Sequence, residues 1–452
     1  MSRRMSLVCI AGCFAAWVTT PVLAQDFSPA AITMFRDLNR QPNDLARYAY
    51  LARKMPELPA TELPLALQMF ASIENELGLY NEAIRDFPLK SHVSPDATLP
   101  TPTDWKPANA AEIITQLAAG RQLVLINEAH HDAHTRQLTL ALLPRLRALG
   151  FNYFAAEALY GNDAQLMQRG YPVKDSGTEY LREPSYGDIV RTALKLGFTV
   201  VSYDADTSGT QEREAGQADN LYRKVFAKDP HARLFVHAGY AHIDKAKGRL
   251  GKVQPMAMHL QQLTGIEPLS IDQVLLREQI PAEPDAYRQL VTDFPPAGPT
   301  VLVNRTTGKP WSADPDRYDV NVLLPPTGPD AIESGVLQPA TIVHDSNSKQ
   351  PMLAHRVNTL RPGWLTLGDQ RIAYVISTAL CKTAMPCVVD AHYSDESGDA
   401  IAADRYAFLR GDATAKLYLR PGSYRLRAWD IRGRTLSERI IRVETPSREP
   451  GR

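Results

Sequence analysis

The stretch Leu123-Val124-Leu125-Ile126-Asn127-Glu128-Ala129-His130-His131-Asp132 passes from four apolar residues straight into a polar cluster. A short apolar run without alternation suits a strand buried on both faces, as in parallel sheets covered by helices. Three further runs share the form: Tyr153–Ala156 ends at Glu157, Thr199–Tyr203 at Asp204 and Leu234–Val236 at His237. Helical stretches at Arg136–Leu149 and Gln217–Ala227 separate them, with Pro144 expected to kink or shorten the first. Val301–Val303 and the run Arg317–Leu324 are expected to add strands. Together these predict an α/β domain over residues 108–325, a mainly parallel central sheet flanked by helices.

Working outward, residues 25–93 read as a helical cap. Leu65, Met69, Ile73 and Leu77 recur every four residues, Ala66 and Phe70 widen the stripe, and Pro64 suits a first helical turn. Glu76–Ala83 resembles half of a tetratricopeptide-type hairpin, without a second copy. The Pro-rich residues 94–107 predict a linker. Beyond Pro325 the pattern changes to period two at Thr414–Tyr418, Tyr424–Ala428 and Glu438–Val443, with turns at Pro421-Gly422 and Arg432-Gly433. This predicts an all-β sandwich over 335–446. Its Leu419–Tyr424 turn resembles those of extracellular accessory sandwiches.

Residues 1–24 have the make-up of a signal peptide: Arg3 and Arg4, an apolar run from Leu7 to Val18, and Val22-Leu23-Ala24 before a cut at Gln25. The chain is therefore expected to be periplasmic or secreted. Ile10-Ala11-Gly12-Cys13 resembles a lipoprotein box and leaves lipidation as a lesser alternative. No later run is long enough to span a bilayer, so no membrane span is expected after signal removal. In an oxidising compartment Cys381 and Cys387, six positions apart, are expected to form a disulfide. The formal net charge is zero and no basic tract occurs, which argues against a nucleic-acid partner.

Seven of the eleven histidines fall between His130 and His259, within the α/β domain. In open parallel sheets, ligands bind outside the carboxyl ends of the strands. Here four strand ends deliver acids or histidines to that edge: Glu128 and His130, Glu157, Asp204, and His237 leading to Tyr240 and His242. Glu157 closes the apolar run Phe154-Ala155-Ala156, and a buried carboxylate needs a partner. His131 and His134 complete the candidate set.

These residues resemble the superfamily of erythromycin esterases, ChaN-like haem-uptake proteins and TraB/Tiki proteases. Its members carry a Gly-Glu-x-His box after the first strand, a Glu ending the second, and a later Gly-x-x-His box. This chain has Asn127-Glu128-Ala129-His130, Glu157 and Gly239-Tyr240-Ala241-His242, with Asn127 where the first box usually has Gly. The segment Arg213–Leu221 is similar to the helix that precedes the last motif. The resemblance covers residues 105–325 and implies hydrolysis of an ester or amide bond in a small-molecule or peptide substrate. Two versions stay open. In one, His130, Glu157 and His242 hold Mn²⁺, Co²⁺ or Zn²⁺, and Glu128 takes a proton from metal-bound water. In the other, His130 or Glu128 activates water directly and Arg213 steadies negative charge. Two rival functions stand beside it: a periplasmic haem or iron-complex binder using His237 and Tyr240, and an inactive binding scaffold.

Overall fold

The computed structural model describes residues 28–207, 209–279, 285–326, 341–344, 351–354, 361–409, 411 and 413–445, with 341–344 and 351–354 given as backbone only. The expected signal peptide lies outside the described residues. Among those described, no helix is long and apolar enough to cross a membrane.

Four helices come first: α1 (Pro29–Leu38), α2 (Asp44–Lys54), α3 (Leu63–Glu76) and α4 (Tyr80–Asp86). Ser28 and Asn43 cap α1 and α2, each accepting a hydrogen bond from an otherwise orphaned N–H of the first turn. The α/β part follows as β1 (Trp105–Asn109), α5 (Ala110–Ala118), β2 (Leu123–Glu128), α6 (Gln137–Ala148), β3 (Tyr153–Ala156), α7 (Pro184–Lys195) and β4 (Thr199–Ser202). It continues through α8 (Thr210–Leu221), β5 (Leu234–Gly239), α9 (Met256–Thr264), β6 (Leu269–Asp272), α10 (Ala286–Asp293), β7 (Thr300–Asn304) and β8 (Val320–Asn321).

Six of these strands form one parallel sheet in the order β4-β3-β5-β2-β6-β8. Every residue of β2 and β5 is buried, as unbroken apolar runs require. Helices α5, α6 and α7 share an apolar cluster on one face, while α8 and α9 share another on the opposite face. The chain leaves β2 toward β3 on one side, and leaves β5 toward β6 on the other. Neighbouring strands with diverging connections open a crevice at their carboxyl ends. That crevice lies between β2 and β5, where Glu128 pairs in register with Gly239.

Several local expectations are corrected. Val301–Val303 is a strand, but β7 pairs antiparallel with β1 outside the parallel sheet. Strand β1 begins inside the expected linker. The run Arg317–Leu324 supplies only a two-residue strand. Strand β6 escaped notice because Ser270 and Asp272 interrupt its apolar pattern. Both are buried and bonded, Ser270 Oγ to the Ile243 carbonyl at 2.6 Å. Pro144 does not shorten α6, which runs on to Ala148. The helix expected over Gln217–Ala227 starts earlier, at Thr210, and gives way to a wider π-turn at Tyr222–Phe226.

The C-terminal part comprises the antiparallel pair β9 (Thr341–His344) and β10 (Pro351–Ala354), then β11 (Ile372–Ser377), β12 (Cys387–Tyr393), β13 (Asp404–Phe408), β14 (Thr414–Leu419), β15 (Gly422–Asp430) and β16 (Thr435–Val443). A four-stranded antiparallel sheet, β13-β12-β15-β16, faces the pair β11-β14. Cys381 and Cys387 are joined as a disulfide. The apolar residues of α1–α3 belong to the same core as these sheets: Leu38, Leu51 and Phe70 cluster with Val389, Tyr406 and Leu426. Charge reinforces the join. Arg405 of β13 bonds Asp390 at 2.7 Å and lies 3.4 Å from Asp44 of α2, which Arg182 of the α/β part also holds at 2.8 Å.

Candidate active site

Glu128 is the last residue of β2 and is almost wholly buried. Its Oε1 lies 2.8 Å from His130 Nδ1, and its Oε2 accepts from Arg136 Nε at 2.6 Å. Burial pushes the carboxyl up, but Arg136 and His130 outweigh it and hold it at about 2. An ionised carboxylate only accepts, so the His130 Nδ1 carries a proton and donates it to Glu128. The ring is fixed further by stacking on Tyr180 at 4.0 Å and by the edge of Tyr240 at 5.0 Å.

Glu157 follows β3 and faces the same crevice. Its Oε1 accepts from Arg213 Nη2 at 2.7 Å and lies 3.3 Å from His242 Nε2, while Oε2 accepts from the Gly239 N–H. Burial opposes ionisation, yet His242 and Arg213 pull the carboxyl well below the usual range. His242 Nδ1 in turn lies 2.7 Å from Glu214 Oε1 of α8. Burial drives the imidazole toward neutrality, and the carboxylates of Glu214 and Glu157 overcome it, raising its pKa to about 10. Arg213 completes the cluster, touching Asp204 at 3.0 Å and His242 Nε2 at 3.3 Å.

Gly239 is where the histidine boxes meet. A Cβ there would lie 2.5 Å from His130 Cε1, 2.7 Å from its Nε2 and 3.1 Å from Glu157 Oε2. Only glycine leaves the ring and the carboxylate this space. Tyr240, next along, takes a left-handed backbone (φ 42°), which turns the chain sharply toward His242.

Asn127, the departure from the expected glycine, needs no left-handed turn, because it lies within β2. Its Nδ2 donates to the Tyr240 carbonyl at 2.8 Å and to Asp272 Oδ1 at 2.7 Å, and its Oδ1 accepts from Gln273 N at 2.7 Å. It fastens the ends of β2, β5 and β6 together.

The structure therefore brings Glu128, His130, Glu157, Asp204, Arg213 and His242 to one place. It leaves the other candidates around it. His131 stacks on Phe87 at 3.4 Å and lies 3.1 Å from the Tyr240 hydroxyl, with burial holding it neutral. His237 sits under α6, 3.1 Å from Thr139 Oγ1, and burial lowers it to about 4. His134 stacks on Trp364 of the C-terminal part, and burial lowers it to about 3.

Several participants gave no sequence signal. Arg136 is fully buried and links Glu128 to Glu183 at 2.8 Å, and Glu183 also receives the Tyr80 hydroxyl at 2.8 Å. Asn75 of α3 donates to the His130 carbonyl at 3.0 Å and accepts from Ala133 N at 3.2 Å. These contacts join elements distant in sequence. Glu183 alone was foreseeable, since a residue before Pro184 caps α7.

A divalent ion is expected from the sequence on His130, Glu157 and His242, and two of these three side chains share a cationic neighbour. The Arg213 guanidinium already lies against both Glu157 and His242. Among the described residues, no group of three or more His, Cys, Asp or Glu side chains is arranged to hold a metal. His237 and Tyr240 are both buried, and Tyr240 spends its hydroxyl on His131.

No family model matches the chain, and no curated protein does. Among solved structures, two described as bacterial protein toxins are 20% and 18% identical, each match covering 36% of both chains with a TM-score of 0.28. The type III effector HopBA1 is 14% identical over 43% of this chain and 95% of its own, again with a TM-score of 0.28. The chain thus spans about a third of the length of the two toxins. A likeness at this level assigns neither fold nor function.

Proposed function

We propose that this chain is an exported hydrolase of ester or amide bonds that activates water with His130, without a metal. The observation that carries the reading is the Glu128–His130 pair, 2.8 Å apart, with Nε2 turned toward the corner shared by Gly239 and Glu157. Ionised Glu128 orients the ring and stabilises the imidazolium formed when Nε2 takes a proton from water. It is not itself the base, because both its oxygens are engaged. Hydroxide adds to the substrate carbonyl, and the Arg213 guanidinium and the His242 imidazolium steady the oxyanion. His130 then returns its proton to the leaving alcohol or amine. The similarity of the Glu128, Glu157 and His242 boxes to those of erythromycin esterases supports the same chemistry.

The test is a screen of generic ester and peptide substrates with the mature protein, in chelator and with added Mn²⁺, Co²⁺ or Zn²⁺. Hydrolysis is expected in chelator, and His130→Ala should lower kcat by about 10²–10⁴-fold. Activity that appears only with metal, or that survives His130→Ala, would overturn the mechanism. Export is tested by fractionating cells and sequencing the mature N-terminus, expected at Gln25.

A further inference from the structure

A second recess lies away from the carboxyl edge of the sheet. Helices α6 and α7 form one wall and turns of the C-terminal sheets form the other, enclosing about 1100 Å³. Two sequence features that the candidate active site does not use converge on it: the proline inside α6, Pro144, and the Leu419–Tyr424 turn through Arg420 and Pro421. Pro144 has no N–H to offer the Leu140 carbonyl, and both residues line the recess. The Leu140 carbonyl thus lacks the helical N–H donor that its place in α6 would otherwise supply.

The charges divide into satisfied and unsatisfied ones. Arg191 is bound by both oxygens of Glu396 at 2.7 and 2.6 Å, and Asp188 is held by Arg371. Arg145 and Lys195 are exposed and have no ion pair among the described residues, and Arg420 has only Gln370 at 2.7 Å and Asp188 at the 3.9 Å limit. Against these three cations stands one unpaired acid, Asp395. The α6/α7 wall thus carries excess positive charge through Arg145 and Lys195, while on the opposite wall Arg420 is offset by Asp395.

We infer that this interdomain cleft binds an acidic oligosaccharide, its carboxylates on Arg145, Lys195 and Arg420 and its hydroxyls on the Leu140 carbonyl and the Gln137 and Gln370 amides. The volume suits several sugar units, since pockets for drug-sized ligands reach about 1,000 Å³. The cleft works independently of hydrolysis at His130 and would retain the protein on an anionic glycan.

Calorimetric titration of the mature chain with hexagalacturonate, maltohexaose and a short inorganic polyphosphate tests this. Hexagalacturonate is expected to bind at least ~10-fold more tightly than the neutral saccharide, and to weaken as salt rises from ~0.05 to ~0.5 M. Arg145→Glu with Lys195→Glu should cost a further ~10-fold, and the milder Arg145→Gln with Lys195→Gln somewhat less. Arg223→Glu, a reversal at an exposed arginine of the π-turn, should leave binding unchanged. Equal binding of both saccharides, indifference to the Arg145 and Lys195 changes, binding of polyphosphate alone, or no binding at all would each overturn the assignment.

Discussion

Gly239→Ala places a single methyl group where the two histidine boxes meet. The new carbon would stand 2.5 Å from His130 Cε1, where ordinary contact begins at 3.4 Å. The His130 ring must then retreat by about 1 Å, because the site is closely packed and the backbone of β5 is fixed on both sides by β2 and β3. That movement would stretch the 2.8 Å bond to Glu128 beyond hydrogen-bonding distance. Overpacking of this kind costs roughly 1–3 kcal/mol. For a unit of this size it should lower Tm by only a few degrees, at ~2–4 °C per kcal/mol. The chemical effect should be much larger, at ~10²-fold in kcat for a catalytic group displaced by about 1 Å. Thermal unfolding and hydrolysis measured on the same preparation separate the two. A folded Gly239→Ala protein that keeps its full activity would show that His130 does not act from this position.

Glu214→Gln removes one of the two carboxylates that raise His242 to about 10. The alkaline limb of activity should then move to lower pH by a unit or more, read from a pH–rate profile or the imidazole NMR shifts. The stability due to this raised pKa is fully present below ~6.5 and is lost as pH rises through about 10. The buried histidines act in the opposite sense. With His237 near 4 and His134 near 3, their contribution is complete above ~6.5 and falls as pH drops toward those values, by up to ~1.4 kcal/mol per pH unit for each. Acid titration of the unfolding free energy checks this. Asn75→Ala should destabilise by ~1–3 kcal/mol and reduce activity, since it frees the His130 loop from α3. Thiol labelling of the unfolded, unreduced mature protein should find no reactive thiol, because Cys381 and Cys387 are paired.

How far the sequence went can be judged at particular residues. Strands β2, β3 and β5 announced themselves because both faces are buried and their apolar runs are unbroken. Residues Glu128, Glu157 and His242 were legible because each lies at or just beyond a strand end, and topology brings strand ends together. Their pairing was not legible. Glu214 stands beside Arg213 in sequence, yet neighbours on a helix point about 100° apart, so nothing suggested that both would reach His242. Arg136 settles the ionisation of Glu128 from the floor of the site, and a buried arginine looks like any other arginine in sequence. Strand β6 was hidden because Asp272 is a buried acid satisfied by Asn127, Arg249 and Asn321, partners drawn from distant parts of the chain.

The first helices and the last strands of this protein complete one another across more than three hundred intervening positions, as Leu38 and Val389 meeting in a common interior shows. The α/β part is in effect an insertion into a unit made from the two ends of the chain. A nascent chain can build the parallel sheet early, but α1–α3 must wait with their apolar faces uncovered until β12–β16 emerge. Deleting the C-terminal strands would therefore do more than remove an appendage: it would uncover the amino-terminal helices as well, including the one whose Asn75 grips the loop of His130.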